Sequence, residues 1–151
     1  MPSIGPTPEL RAQTRARLAP GAAAGVTEAM IHRLVHAFYG RVRADAVLAP
    51  IFDAAIADWE PHLDRMCDFW SSVTLMTGRF KGQPMAAHLR LAGLEAAHFD
   101  RWLELFRETA REVCPPPAAA VFIGRAEMIA QSFQLGLAHS RGELPVLRPP
   151  A

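Results

Sequence analysis

Between Gly78 and Pro84 the helical periodicity of this chain breaks, and that break restricts the folds open to it more than any other feature. Upstream, from Asp58 to Thr77, apolar residues recur at helical spacing, about 3.6 residues per turn, with His62, Met66, Phe69, Val73 and Met76 on one stripe. Downstream, Pro84 suits the first turn of a new short helix, because its missing N–H would go unbonded there anyway, and His88 stands at that helix's far end. On one unbroken helix the His62 and His88 imidazoles would lie about 39 Å apart, at about 1.5 Å per residue. A glycine-rich break lets the chain fold back instead, so that the two rings face each other across a flat cavity.

The rest of the chain repeats the 3.6-residue period. Thr27 offers a side-chain oxygen to cap a helix with the stripe Ile31, Val35, Phe38, Val42, which ends at Arg43-Ala-Asp45; Tyr39 lies beside the stripe with its hydroxyl turned inward. Leu48-Ala-Pro50-Ile-Phe52 reads as a short apolar corner, since Pro50 forbids a long regular helix, and Phe52 is expected to be buried. A connection through Gly93 leads to a helix from about Glu95 to Val113, with Phe99, Leu103, Phe106, Ala110 and Val113 inward and Trp102 on the flank. Pro115-Pro116-Pro117 stops it, and a last helix, about Ala118 to His139, buries Phe122, Ala126, Ile129, Phe133 and Leu137. No alternating strand pattern, internal repeat or heptad run appears, so the fold class is all-α. Residues 1–26 hold Pro2, Pro6, Pro8 and Pro20 around one polar helical stretch, Glu9 to Leu18, and read as a loosely held extension. Residues 27–139 form the domain, and 140–151 a disordered tail.

Composition narrows the function. At 151 residues the chain is long enough to fold without staples, burying roughly two-thirds of its unfolded surface. With 16 Lys+Arg against 15 Asp+Glu, mixed along the sequence, it has no basic block, and nucleic acid is not an expected partner. Cys67 and Cys114 have no CxxC or Cys/His spacing, which excludes a finger-type zinc site and fits a reduced compartment. The N-terminus has no basic start or apolar run of signal length, and no later segment approaches about 18 uninterrupted apolar residues. The expectation is a cytoplasmic protein without a membrane partner.

Six histidines compete for a ligand role. His32 and His36 are an i,i+4 pair off the apolar stripe, which favours a solvated face; His139 suits a helix end and His98 a helix start. His62 and His88, each alone, fit a core histidine as well as a ligand. They gain weight in company. Tyr39, Phe52, Phe69, Phe80, Met85 and Trp102 are large, several with a single polar tip, and such walls suit a flat apolar cofactor whose metal takes one neutral imidazole. Haem is the natural occupant, although Met and aromatics at helical spacing also describe an ordinary core.

Five segments in order carry a resemblance: Phe38-Tyr39-Gly-Arg-Val-Arg43; Pro50-Ile-Phe52; His62 followed by Phe69-Trp70; Gly78-Arg-Phe80-Lys-Gly-Gln-Pro-Met85-Ala-Ala-His88-Leu; and Phe99-Asp-Arg-Trp102-Leu103. Together, over about residues 27–139, they resemble a truncated haemoglobin of the third group. That resemblance implies a two-over-two helical sandwich holding haem b. It makes His88 the proximal iron ligand, lines the haem site with Phe52, Phe69, Phe80, Met85 and Trp102, and sets Tyr39, His62 and Trp102 on the distal side. The connection from Phe52 to His62 is short for the family, Pro61 directly precedes His62, and His98 is the rival to His88.

The implied activity is binding of dioxygen or another diatomic ligand (NO or CO) on iron opposite His88. Two alternatives stand beside it: a haem redox enzyme that dioxygenates nitric oxide or reduces peroxide with electrons from an outside reductase, and a cofactor-free helical interaction domain whose aromatics are merely core.

Overall fold

The computed structural model describes residues 5–82, 94–140 and 142. Among these there are six helices and no strand: α1 (Pro8–Leu18), α2 (Glu28–Ala44), α3 (Ala49–Ala55), α4 (Trp59–Leu75), α5 (Ala96–Val113) and α6 (Pro116–Ser140). The chain is all-α. Helices α2 and α4 pack as one layer and α5 and α6 as the other, with α2 on α5 and α4 on α6 joining them, a two-over-two sandwich. The short helix expected after Pro84 lies outside the described residues, and with it Met85 and His88.

The α2 stripe is the centre of the core. Thr27 accepts the Met30 N–H at 3.1 Å as its cap, and Ile31, Val35, Phe38 and Val42 are all but inaccessible. Phe38, Phe106 of α5 and Phe122 of α6 are the largest fully buried side chains, and each contributes about 1.5–3 kcal/mol relative to exposure. Prolines set starts more often than stops. Pro50 falls in the first turn of α3, and α6 begins at Pro116 within the proline triplet, because a first-turn residue needs no N–H partner.

On α4 the expected stripe is rotated. Trp70, Ser71 and Thr74 are its buried residues, whereas His62, Met66, Phe69 and Val73 are half-buried and Met76 is 41% exposed. The cause is tertiary. Ser71 Oγ donates to Glu28 Oε1 of α2 at 2.6 Å, and the Gly21 N–H donates to the Thr74 carbonyl at 2.7 Å. A Cβ on Gly21 would come within 2.9 Å of both that carbonyl oxygen and Val26 Cβ, so only glycine lets the chain lie this close. Ala19, Gly21 and Val26 are accordingly buried, while α1 before them buries nothing.

Between α2 and α3 the corner is held by Asp45. Its Oδ2 accepts the N–H groups of Val47 (3.1 Å) and Leu48 (3.0 Å), and its Oδ1 accepts Arg101 Nε (2.8 Å) and Nη2 (2.7 Å) from α5. Burial raises the Asp45 pKa, but the Arg101 guanidinium and the two backbone N–H groups outweigh it, and the net shift is downward. A depressed carboxylate pKa contributes stability above the ordinary carboxylate range and loses it as pH falls through the folded value. Asp45→Ala is therefore expected to cost about 1–2 kcal/mol at pH 7 by denaturant melting. The gap to wild type should close as the carboxylate protonates in acid; a gap independent of pH would contradict this role.

Candidate functional site

An apolar cleft opens between α3, α5 and α6. Leu48, Phe52, Leu94, His98, Phe99, Trp102 and Phe133 line it, so its wall is almost wholly apolar, with the His98 imidazole and the Trp102 indole N–H as its side-chain polar groups. Of the residues expected at the site, Phe52 and Trp102 stand directly on its wall. Phe52 arrives there because α3 is turned inward by Asp45, and Trp102 because it flanks the buried face of α5.

Tyr39 lies behind Phe52, 5% exposed, in a cage of rings. Its ring centroid is 6.1 Å from Phe52, 5.1 Å from His62 and 6.0 Å from Trp59. Helices α2 and α4 thus bring Tyr39 and His62 edge to face, at an interplanar angle of 88°. Burial pushes the Tyr39 phenol well above its ordinary pKa, so the hydroxyl keeps its proton and is able to donate a hydrogen bond.

Past α4 the chain reverses direction. Met76 is left-handed (φ 55°), as is Gly78 (φ 70°), and the Phe80 N–H donates to Ser72 Oγ at 2.9 Å, folding the segment back onto its own helix. Phe80 then meets Phe69 at 5.4 Å. From there ring contacts run on through Trp70 (5.5 Å), Phe106 (5.0 Å), Trp102 (5.5 Å) and Phe38 (5.6 Å) to Tyr39 (5.0 Å). Every described residue expected at the site belongs to this one connected array.

Several neighbours were not expected there. Leu48, Phe99 and Phe133 read in the sequence as corner or stripe residues, Leu94 as the end of a connection, and His98 as a helix-start histidine and the rival to His88; all five face the cleft. Trp59 packs on His62 at 5.6 Å and lies under the Arg43 guanidinium at 4.7 Å, and its place one helical turn before His62 is the signal that marks it. His32 is exposed as expected, but His36, stacked on it at 4.0 Å, is half-buried. Among the described residues no group of three or more His, Cys, Asp or Glu is placed to hold a metal. Burial foremost, then Asp64, Asp68 and Glu28, pushes the Cys67 thiol up to about 11, which leaves it protonated rather than nucleophilic.

Two helical layers closing on an aromatic-walled cleft define a globin of the short, two-over-two class. No protein-family model matches the chain. A curated relative, the group 3 truncated hemoglobin ctb of Campylobacter jejuni, is 35% identical over 113 residues, covering 72% of this chain and 89% of the relative. The crystal structure of a group III truncated hemoglobin from Campylobacter jejuni matches with a TM-score of 0.71 at 35% identity, covering 74% of this chain and 91% of that one. The chain belongs to the group III truncated haemoglobins. No helix among the described residues is long and apolar enough to cross a membrane.

Proposed function

We propose that this chain binds haem b and uses it to take a diatomic ligand, dioxygen before NO or CO, on the side opposite His88. The observation that supports this reading is the lining of the cleft, apolar and aromatic with few polar groups as a flat apolar cofactor requires, beside a deeply buried Tyr39 whose hydroxyl keeps its proton. Haem, when bound, would supply an iron centre to which small ligands add. Everything else falls to the chain. His88 would hold the iron through a ring nitrogen, and Phe52, Phe69, Phe80, Met85 and Trp102 would pack on the haem and exclude water. The Tyr39 phenol and the Trp102 indole N–H would donate hydrogen bonds to a small ligand held in the pocket, each for about 1–3 kcal/mol in a dry site. Half-buried between Trp59 and Tyr39, His62 would gate the distal side.

Two donors of that strength slow ligand release, which suits chemistry on the ligand better than delivery of it. That favours, as a second reading, nitric oxide dioxygenation or peroxide reduction in the cytoplasm with electrons from an outside reductase.

Ferric and ferrous absorption spectra after hemin addition test the proposal. A Soret band and a shift on adding CO to the ferrous form are expected. Absence of both would leave a cofactor-free helical domain, and a low-spin ferric spectrum lost in His62→Leu would make His62 a ligand rather than a gate.

A further inference from the structure

Among the described residues His98 is the one histidine on the cleft wall, and its hydrogen bond fixes what it can do there. Its Nδ1 accepts the Glu95 backbone N–H at 2.9 Å, while the Glu95 side chain accepts the His98 N–H, a reciprocal cap at the start of α5. An amide N–H can only donate, so Nδ1 is unprotonated and the neutral ring carries its proton on Nε2. An imidazole that ligates metal through Nε2 needs the opposite tautomer, with Nδ1–H pointing at an acceptor. In this cap Nδ1 faces a donor, and His98 would have to break the helix start to become a ligand.

We propose that His98 is a second anchoring point of the cleft, donating from Nε2–H to an anionic carboxylate on the edge of the bound cofactor. It is half-buried on the cleft wall, and among the described residues it is, with Trp102, one of two lining residues that own a side-chain N–H. A flat apolar body with a carboxylate at its rim satisfies both parts of such a wall: the rings of Phe52, Phe99 and Phe133 cover the body, and the donor meets the charge. Haem carries two such carboxylates, so the inference rests on the reading that haem fills the cleft, and it assigns His98 a role distinct from iron coordination.

The test is the rate at which reconstituted protein loses cofactor to an excess of a haem-scavenging apoprotein, measured with hemin and with hemin dimethyl ester. His98→Glu keeps the cap, because glutamate at this position accepts the same backbone N–H, but turns an anion toward the carboxylate. It is expected to speed hemin loss about tenfold or more, while His98→Gln, which retains an acceptor and an N–H donor, stays within about threefold of wild type. With the dimethyl ester, His98→Glu and wild type should converge. Equal hemin loss in His98→Glu and wild type, or equal acceleration with hemin and ester, would overturn the proposal. Loss of axial imidazole features from the spectrum of His98→Gln would overturn it too, by making His98 the iron ligand. A wild-type protein that takes up neither cofactor form defeats the haem reading first, and the anchor with it.

Discussion

His88→Ala is expected to abolish stable haem retention, or to leave it dependent on added imidazole, with the Soret band lost on gel filtration. His88 is six positions after Gly82 and six before Leu94. The segment up to Phe80 is tied back to α4 by Ser72, and Leu94 is buried on the cleft wall. His98, at the start of α5, accepts a backbone N–H at Nδ1, so its ring N–H is left as a donor. An imidazole on the iron would be the one covalent hold on a bound haem, and apolar walls alone would leave it free to exchange. If His88→Ala kept its spectrum while His98→Ala lost haem, the assignment would be reversed.

The double variant Tyr39→Phe, Trp102→Phe is expected to release oxygen at least a hundredfold faster than wild type, at about tenfold for each 1.4 kcal/mol lost. Phenylalanine at position 39 keeps the edge contacts to Phe38, Phe52 and His62 and deletes only the hydroxyl. At position 102 it retains the stack on Phe106 and deletes the indole N–H. Both changes thus remove donors while preserving the packing, and stopped-flow dissociation from the ferrous protein reads the result. Each single variant should show part of the effect; off-rates unchanged in both singles and in the double would mean that neither group reaches the ligand.

Local signals carried most of the scaffold. The Thr27 cap, the α2 stripe and most of the inward faces of α5 and α6 follow from periodicity, although on α5 Leu105 and Thr109 are buried where Leu103 and Val113 were expected and are only half-buried. The face of α4 was less legible: it is covered both by α2 and by residues 19–26, and the second cover depends on a close approach at Gly21 that no period encodes. Prolines misled in one direction only, since Pro50 and Pro116 sit in first turns where they are tolerated. At the site, Tyr39, Phe52 and Trp102 were found through their place in a family pattern. His98 looked like a helix-start residue, which it also is; its second face, toward the cleft, exists only once Leu94, Phe99 and Phe133 are assembled around it.

The seven-residue helix α3 has a consequence of its own. A helix this short does not persist by itself, because the cost of nucleating it exceeds what so few backbone bonds return. It exists through Asp45 at one end and the Phe52 ring packed near Tyr39, so it opens as a unit when those two holds release. Amide protons of this helix therefore exchange with solvent through a sub-global opening cheaper than unfolding the two main layers. That same opening would take Phe52 off the cleft wall, so a helix less firmly held than the two main layers stands where a bulky ring would enter and leave.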